Sequence, residues 1–344
     1  MNKVVISNAE YNRIIEKVNR CQLFGKTRDI VHALHNGIRY VAVGDELIYG
    51  DWKTFPTFLM HYCKYALGEE WFSHELEEAE ANRHEICRWY GHVDSLLRAS
   101  SNSTSINETV VRIDGDGVFM AYMHLAYNLY VLAHHAALQA RLISRLKHKD
   151  QFQGALYEVF VITTMIRAGF DIAFEDETDG STSHPEFIAT HQLSKQRIAV
   201  EAKSRHRPGV LGRSGNRQDP DDLTLGVRNL LLKCSQKHIV DPYVVFIDLN
   251  MPSGLFHPGN SIAEDDIANE VANLNDARGN SQFNMVVITN TPHVYGAPFE
   301  TAPPISVCVL IPTKPKFQAV DFGLLKEIQY AAAQHVNIPS WFPE

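Results

Sequence analysis

Pro185-Glu186-Phe187-Ile188-Ala189-Thr190-His191 and, past the turn Leu193-Ser194-Lys195-Gln196, Arg197-Ile198-Ala199-Val200-Glu201-Ala202-Lys203 decide how the second half of this 344-residue chain is read. Both stretches are apolar runs bounded by turn residues, so strands are expected over Glu186 to His191 and Arg197 to Lys203. Side chains alternate along a strand, so Glu201 and Lys203 share one face while Ala202 points to the other. A hairpin through the turn brings Glu186 alongside Glu201. Two carboxylates then converge near one ammonium.

Outward from the hairpin, the pattern upstream predicts a helix from Phe152 to Ala168, stopped by Gly169, and a strand from Phe170 to Phe174. Downstream, a Gly- and Arg-rich loop from Pro208 to Arg217 leads into a helix over Asp222 to Lys237 and a buried strand over Tyr243 to Leu249. A short helix from Ala263 to Leu274 and strands at Asn284 to Thr289 and Ile305 to Ile311 complete the region. From Phe152 onward the order is helix, three strands, helix, strand.

The first part of the chain reads differently. From Glu10 to about Gly91 it is mostly helical, as in Tyr11 to Val18 and Glu75 to Tyr90, with a strand pair over Ile38 to Ile48 around Gly44-Asp45. The polar run Ser100 to Asn107 reads as a linker. A short strand, Val110 to Ile113, ends in the turn Asp114-Gly115-Asp116-Gly117. One long helix is then expected from Val118 to Leu146, closing on Arg145, Lys147, His148 and Lys149, which suit a helix carboxyl end. The expected organisation is a mainly helical domain over 1–107, a connecting strand and helix over 108–150, and a catalytic domain with a C-terminal extension over 151–344. The fold class is α/β of the α+β kind, a mixed sheet flanked by helices.

Composition narrows the function. The hydrophobic fraction of 45% leaves material for a core, and the net charge of -8 disfavours a protein that coats nucleic acid through its whole surface while allowing a local basic patch. The scattered cysteines Cys21, Cys63, Cys87, Cys234 and Cys308 form no CxxC pair, as expected of reduced thiols in the cytoplasm. The start of the chain is too soon polar for a signal peptide. The longest apolar stretch, Val118 to Leu138, carries His124, Asn128, His134 and His135, so a buried helix is expected and no membrane partner. His32 with His35, His84 with Cys87, and His134-His135 lack a second pair at structural-zinc spacing and read as core or surface histidines. No P-loop or serine-hydrolase elbow is present.

Two hard oxygen donors with room for water suit Mg²⁺, which binds few protein carboxylates when it serves phosphate chemistry. The lysine beside them suits a group that orients a water or counters negative charge. Pro185-Glu186 followed by Glu201-Ala202-Lys203, with Glu158 on the preceding helix, resembles the PD-(D/E)xK nuclease superfamily of restriction-endonuclease-like folds. The resemblance spans about Gln151 to Leu249, and that family's helix, three strands, helix and strand match the order above.

By that resemblance Glu186 and Glu201 are metal ligands, the Ala202 carbonyl completes the metal shell, Lys203 is the catalytic lysine and Glu158 an auxiliary acid. The first acid of the family is usually Asp, and Glu186 reaches one methylene further. The implied activity is a Mg²⁺-dependent endonuclease, with Mn²⁺ able to substitute, acting on DNA ahead of RNA. Restriction or anti-phage defence follows from the family's habits, as does a homodimer that cuts both strands. Arg205, Arg207, Arg213 and Arg217, with His206 nearby and Arg228, Lys233 and Lys237 in the next helix, are the expected phosphate contacts. Gln236 lies where some members carry a helix Gln. The alternative is a nuclease-like fold without catalysis, a nucleic-acid-binding or structural subunit, against which the presence of Glu201 and Lys203 together argues. A separate alternative reading of the motif makes Glu201 and Lys203 an exposed cross-strand ion pair contributing about 0–1 kcal/mol and Glu186 an ordinary strand-cap charge.

Overall fold

Tyr243–Asp248 and Met285–Asn290 are buried at every position, the mark of strands covered on both faces, and the rest of the molecule is arranged to provide that cover. The computed structural model describes residues 8–103, 113, 115–174, 184–211, 216, 223–252, 261–295 and 305–343. Its elements in chain order are α1 (Asn8–Phe24), β1 (Val31–His35), β2 (Ile38–Val43), β3 (Glu46–Gly50), α2 (Phe55–Leu67), α3 (Glu69–Glu77), α4 (Glu85–Ser103), α5 (Gly117–His135), α6 (Ala140–Lys147) and α7 (Phe152–Arg167). There follow β4 (Phe170–Phe174), β5 (Phe187–His191), β6 (Arg197–Ser204), α8 (Leu223–Ser235), β7 (Tyr243–Asp248), α9 (Ser261–Asn273), β8 (Met285–Asn290), β9 (Ser306–Leu310) and α10 (Phe322–Ala333).

The fold is mixed α/β. Strands β1 to β3 form a small antiparallel sheet, and β4 to β9 a six-stranded sheet in sequence order. In the larger sheet β4, β5 and β6 are antiparallel neighbours, β6, β7 and β8 run parallel, and β9 closes the edge antiparallel. One face, with Val200, Ala202, Val244, Phe246 and Val287, joins a core built with α7 and the N-terminal helices. The other, with Ala199, Ile188, Val245, Ile247 and Ile288, packs under α8 and α9 through Val227, Leu231, Ile267 and Val271. Both cores explain why alternation is weak in β7 and β8.

Several expected boundaries move. The helix expected from Val118 to Leu146 is two: α5 ends at His135, Ala136 is extended (φ -142, ψ 154), and α6 begins at Ala140. No Pro or Gly marks the break. It is set by the two histidines: His134 Nε2 donates to the Asp29 carbonyl at 3.2 Å while its Nδ1 accepts from Gly44 N–H, and His135 Nε2 accepts from Arg28 N–H at 2.8 Å. The expected helix over Glu75 to Tyr90 is likewise divided, between α3 and α4. The expected linker at Ser100 begins as helix, since α4 runs to Ser103; residues 104–112, with most of the expected Val110 to Ile113 strand, lie outside the described residues. Asp116 of the expected turn caps α5, accepting from Phe119 N–H at 2.9 Å. The edge strand β1 and the last helix α10 went unread in the sequence.

Arg167, at the end of α7, ties the first and last parts of the chain together. It is 2% exposed, with Nε donating to the Phe24 carbonyl at 3.0 Å, Nη1 to the His335 carbonyl at 2.8 Å and Nη2 to the Asn337 carbonyl at 2.9 Å. Gly25 beside it adopts φ +74, and a Cβ there would lie 2.6 Å from the Arg167 carbonyl oxygen, so only glycine lets α1 end against α7. Arg167→Met should therefore lower stability by about 3–5 kcal/mol in urea unfolding, since the carbonyls of Phe24, His335 and Asn337 lose one charged, buried donor at once. An unchanged midpoint would show that the clamp contributes nothing.

Candidate active site

The hairpin places its acids as its register dictates. Phe187 pairs with Val200, and Glu186 N–H donates to the Val200 carbonyl at 3.1 Å, so Glu186 stands across from Glu201. Backbone groups alternate sides along β6: Arg205 N–H and Ala199 N–H turn to the β7 side, and the Val200 carbonyl to the β5 side. The Ala202 carbonyl therefore faces the β5 side too, beyond the point where β5 begins. It lies at the open corner where Glu186 and Glu201 meet.

At that corner Lys203 Nζ donates to Glu186 Oε1 at 2.8 Å and forms an ion pair with Glu201 Oε1. The two carboxylates thus converge on one ammonium, as the sequence led us to expect. Glu201 is wholly buried, so the exposed ion pair of the alternative reading does not describe it. Its Oε2 accepts from Lys237 Nζ at 2.7 Å, just past the end of α8.

Glu158 joins from the other side. It is buried on α7 and paired with Arg145 of α6. Burial first, and then the nearby Glu186 charge, push its carboxyl up to about 7 against the opposing pull of Arg145 and Lys203. Burial also raises Glu201, with Glu186 adding to it, and the two lysines oppose. For Glu186 burial acts upward, but the Lys203 charge and hydrogen bond, with Lys237 and Arg145, hold the carboxyl below its ordinary value. Desolvation acts to lower the Lys203 ammonium, and Glu201 and Glu186 outweigh it and raise it. Three carboxyl groups and three cations form one cluster whose charges nearly balance, Glu158 keeping its proton part of the time near neutral pH.

The donor set fits a magnesium-like ion in kind. Two carboxylates converge on one corner and a strand carbonyl faces it, which suits a cation that keeps several waters. Glu186, Glu201 and the Ala202 carbonyl are the groups that would hold it. Among the described residues no group of three or more His, Cys, Asp or Glu side chains is arranged as a ready metal cage. The ammonium groups stand where a metal would compete.

The expected phosphate contacts fare less well. Arg205 and Arg207 are buried, Arg205 Nε donating to the Leu249 carbonyl at 2.8 Å, and a Cβ on Gly226 of α8 would lie 2.7 Å from Arg205 Cδ. A solvated phosphate-binding loop therefore does not describe these two; Arg205 is built into the join between β6, β7 and α8. Arg213 and Arg217 lie outside the described residues. Gln236 is exposed, and its neighbour Lys237 turns inward instead. Arg145 was legible only as positive charge at a helix end, and Lys237, expected among the phosphate contacts, instead pairs with Glu201.

No family model matches the chain, and neither a curated protein nor a solved structure matches it. Also among the described residues, no helix is long and apolar enough to cross a membrane.

A raised carboxyl favours the folded state only while it is protonated, so the contribution of Glu158 is greatest below its unfolded value near 4.5 and is lost as pH rises through about 7. Glu158→Gln removes that loss. Its urea midpoint relative to the natural protein should climb between pH 5 and pH 8, and a pH-independent difference would contradict the buried, raised carboxyl.

Proposed function

We propose that this chain is a divalent-metal-dependent endonuclease of the PD-(D/E)xK kind, hydrolysing phosphodiester bonds of nucleic acid, DNA ahead of RNA. The observation that carries the proposal is the convergence of Glu186 and Glu201, from paired strands, on the half-buried ammonium of Lys203. When bound, Mg²⁺ or Mn²⁺ supplies positive charge against the phosphate and lowers the pKa of water.

The chain's own groups do the rest. Glu186, Glu201 and the Ala202 carbonyl hold the ion at the open corner. Lys203 Nζ, released from part of its double ion pair, orients a water or neutralises a phosphate oxygen. Glu158, held by Arg145, adds a carboxyl whose proton is exchangeable near neutral pH. A role in restriction or anti-phage defence, and a homodimer that cuts both strands, accompany this reading as proposals. The nearly balanced charge of the cluster and Glu at position 186 favour a second reading, a subunit that binds nucleic acid without cutting it, which predicts retention of DNA and no nicking.

Supercoiled plasmid and single-stranded RNA, incubated with Mg²⁺ or with EDTA, separate the readings. Cleavage should need the metal and fall by about a hundredfold or more in Lys203→Ala. Cleavage that persists in EDTA, or survives the substitution undiminished, sinks the mechanism.

A further inference from the structure

We infer that Lys237 is a removable counter-ion for Glu201, a positioning residue that occupies the carboxylate in the metal-free protein and must withdraw when a divalent cation enters; the inference rests on the metal-dependent reading above. Two lysines contact Glu201, and they are not equivalent. Lys203 lies within β6 and touches both Glu186 and Glu201, so moving it breaks two contacts. Lys237 touches Glu201 Oε2 alone, from the turn after α8, where its own N–H bonds the Cys234 carbonyl at 3.2 Å.

Lys237 keeps a path to water. Its side chain is 15% exposed while that of Glu201 is fully enclosed, and four rotatable bonds let an ammonium on the rim swing into solvent. The carboxylate cannot follow it. The corner itself offers ligands: Glu186 also faces it, and so does the enclosed Glu201 Oε1, which Lys203 contacts. A divalent ion there would bind that oxygen and restore charge balance once Lys237 has left.

The sign of the effect follows from the cluster's charge. Arg145, Lys203 and Lys237 at least match the charge of Glu158, Glu186 and Glu201, so a dication entering the cluster is opposed by the cations; removing one cation makes the site more negative and attracts it. A merely structural lysine gives the opposite pattern, a weakened fold with weaker or unchanged metal binding.

The test is Mn²⁺ binding followed by electron paramagnetic resonance on the whole chain, for the natural protein, Lys237→Gln and Lys237→Met, with Lys17→Met on exposed α1 as the control for loss of one charge. Both Lys237 variants should bind Mn²⁺ about tenfold tighter, equivalent to about 1.4 kcal/mol, and the control should not change. They should also be less stable without metal and gain more in melting temperature on adding Mn²⁺ than the natural protein does. If Lys237→Met fails to fold, Lys237→Gln, which keeps a donor for Glu201, carries the comparison. Mn²⁺ binding by the natural protein with equal or weaker binding by Lys237→Gln overturns the inference and leaves the nuclease proposal standing. No Mn²⁺ binding by any of them overturns both.

Discussion

Carboxylates taken out of water must find counter-charge, and three of them meet at one corner of this sheet. Glu201 has no contact with solvent, Glu158 almost none, and Glu186 only a little. An apolar wall at that corner would neutralise them by protonation, and Glu158 is already moved most of the way there. The fold answers with cations from three places: Lys203 on the strand itself, Lys237 past the end of α8, and Arg145 on α6. Each comes from a different layer, so the corner exists only when the sheet and the helices on both faces are assembled.

That dependence gives the helical first half a definite task. α5 is buried around its whole circumference and packs between α2, α4 and α7. The break after His135 turns the chain so that α6 crosses α7 and delivers Arg145 to Glu158. A continuous helix would have carried Arg145 along the α5 axis instead. Arg167 and Gly25 then fix α1 and the end of the chain to the same helix that bears Glu158. The N-terminal helices are thus part of what holds the acids in place.

The strand hairpin was legible because its signals are local: alternation sets Glu201 and Lys203 on one face, and a turn of known length sets Glu186 opposite. β4 has the bounds expected of it, and the mixed sheet flanked by helices follows from the order of its elements. What escaped the sequence depends on contacts far along the chain. His134 and His135 end α5 by bonding to residues near position 30 and position 44, so no breaker residue announces the break. Arg205 looked like a solvated loop cation and is buried because Gly226 lets α8 approach it closely. Lys237 and its neighbour Gln236 were both singled out, Lys237 for phosphate, and only the direction in which α8 ends decides which of the two faces Glu201. Arg145, thirteen residues before Glu158, is a partner no helical or strand spacing connects to it.

Burial of Glu201 between two ammonium groups, one of them shared with Glu186, is the claim on which the chemistry turns. A crystal structure grown with Mn²⁺, with anomalous diffraction recorded at the manganese edge, addresses it directly. An anomalous peak in contact with Glu186 and Glu201, with the Lys237 ammonium moved away from Glu201, is the expected result. Glu201 still paired with both Lys203 and Lys237, and no peak at that corner at saturating Mn²⁺, would contradict it.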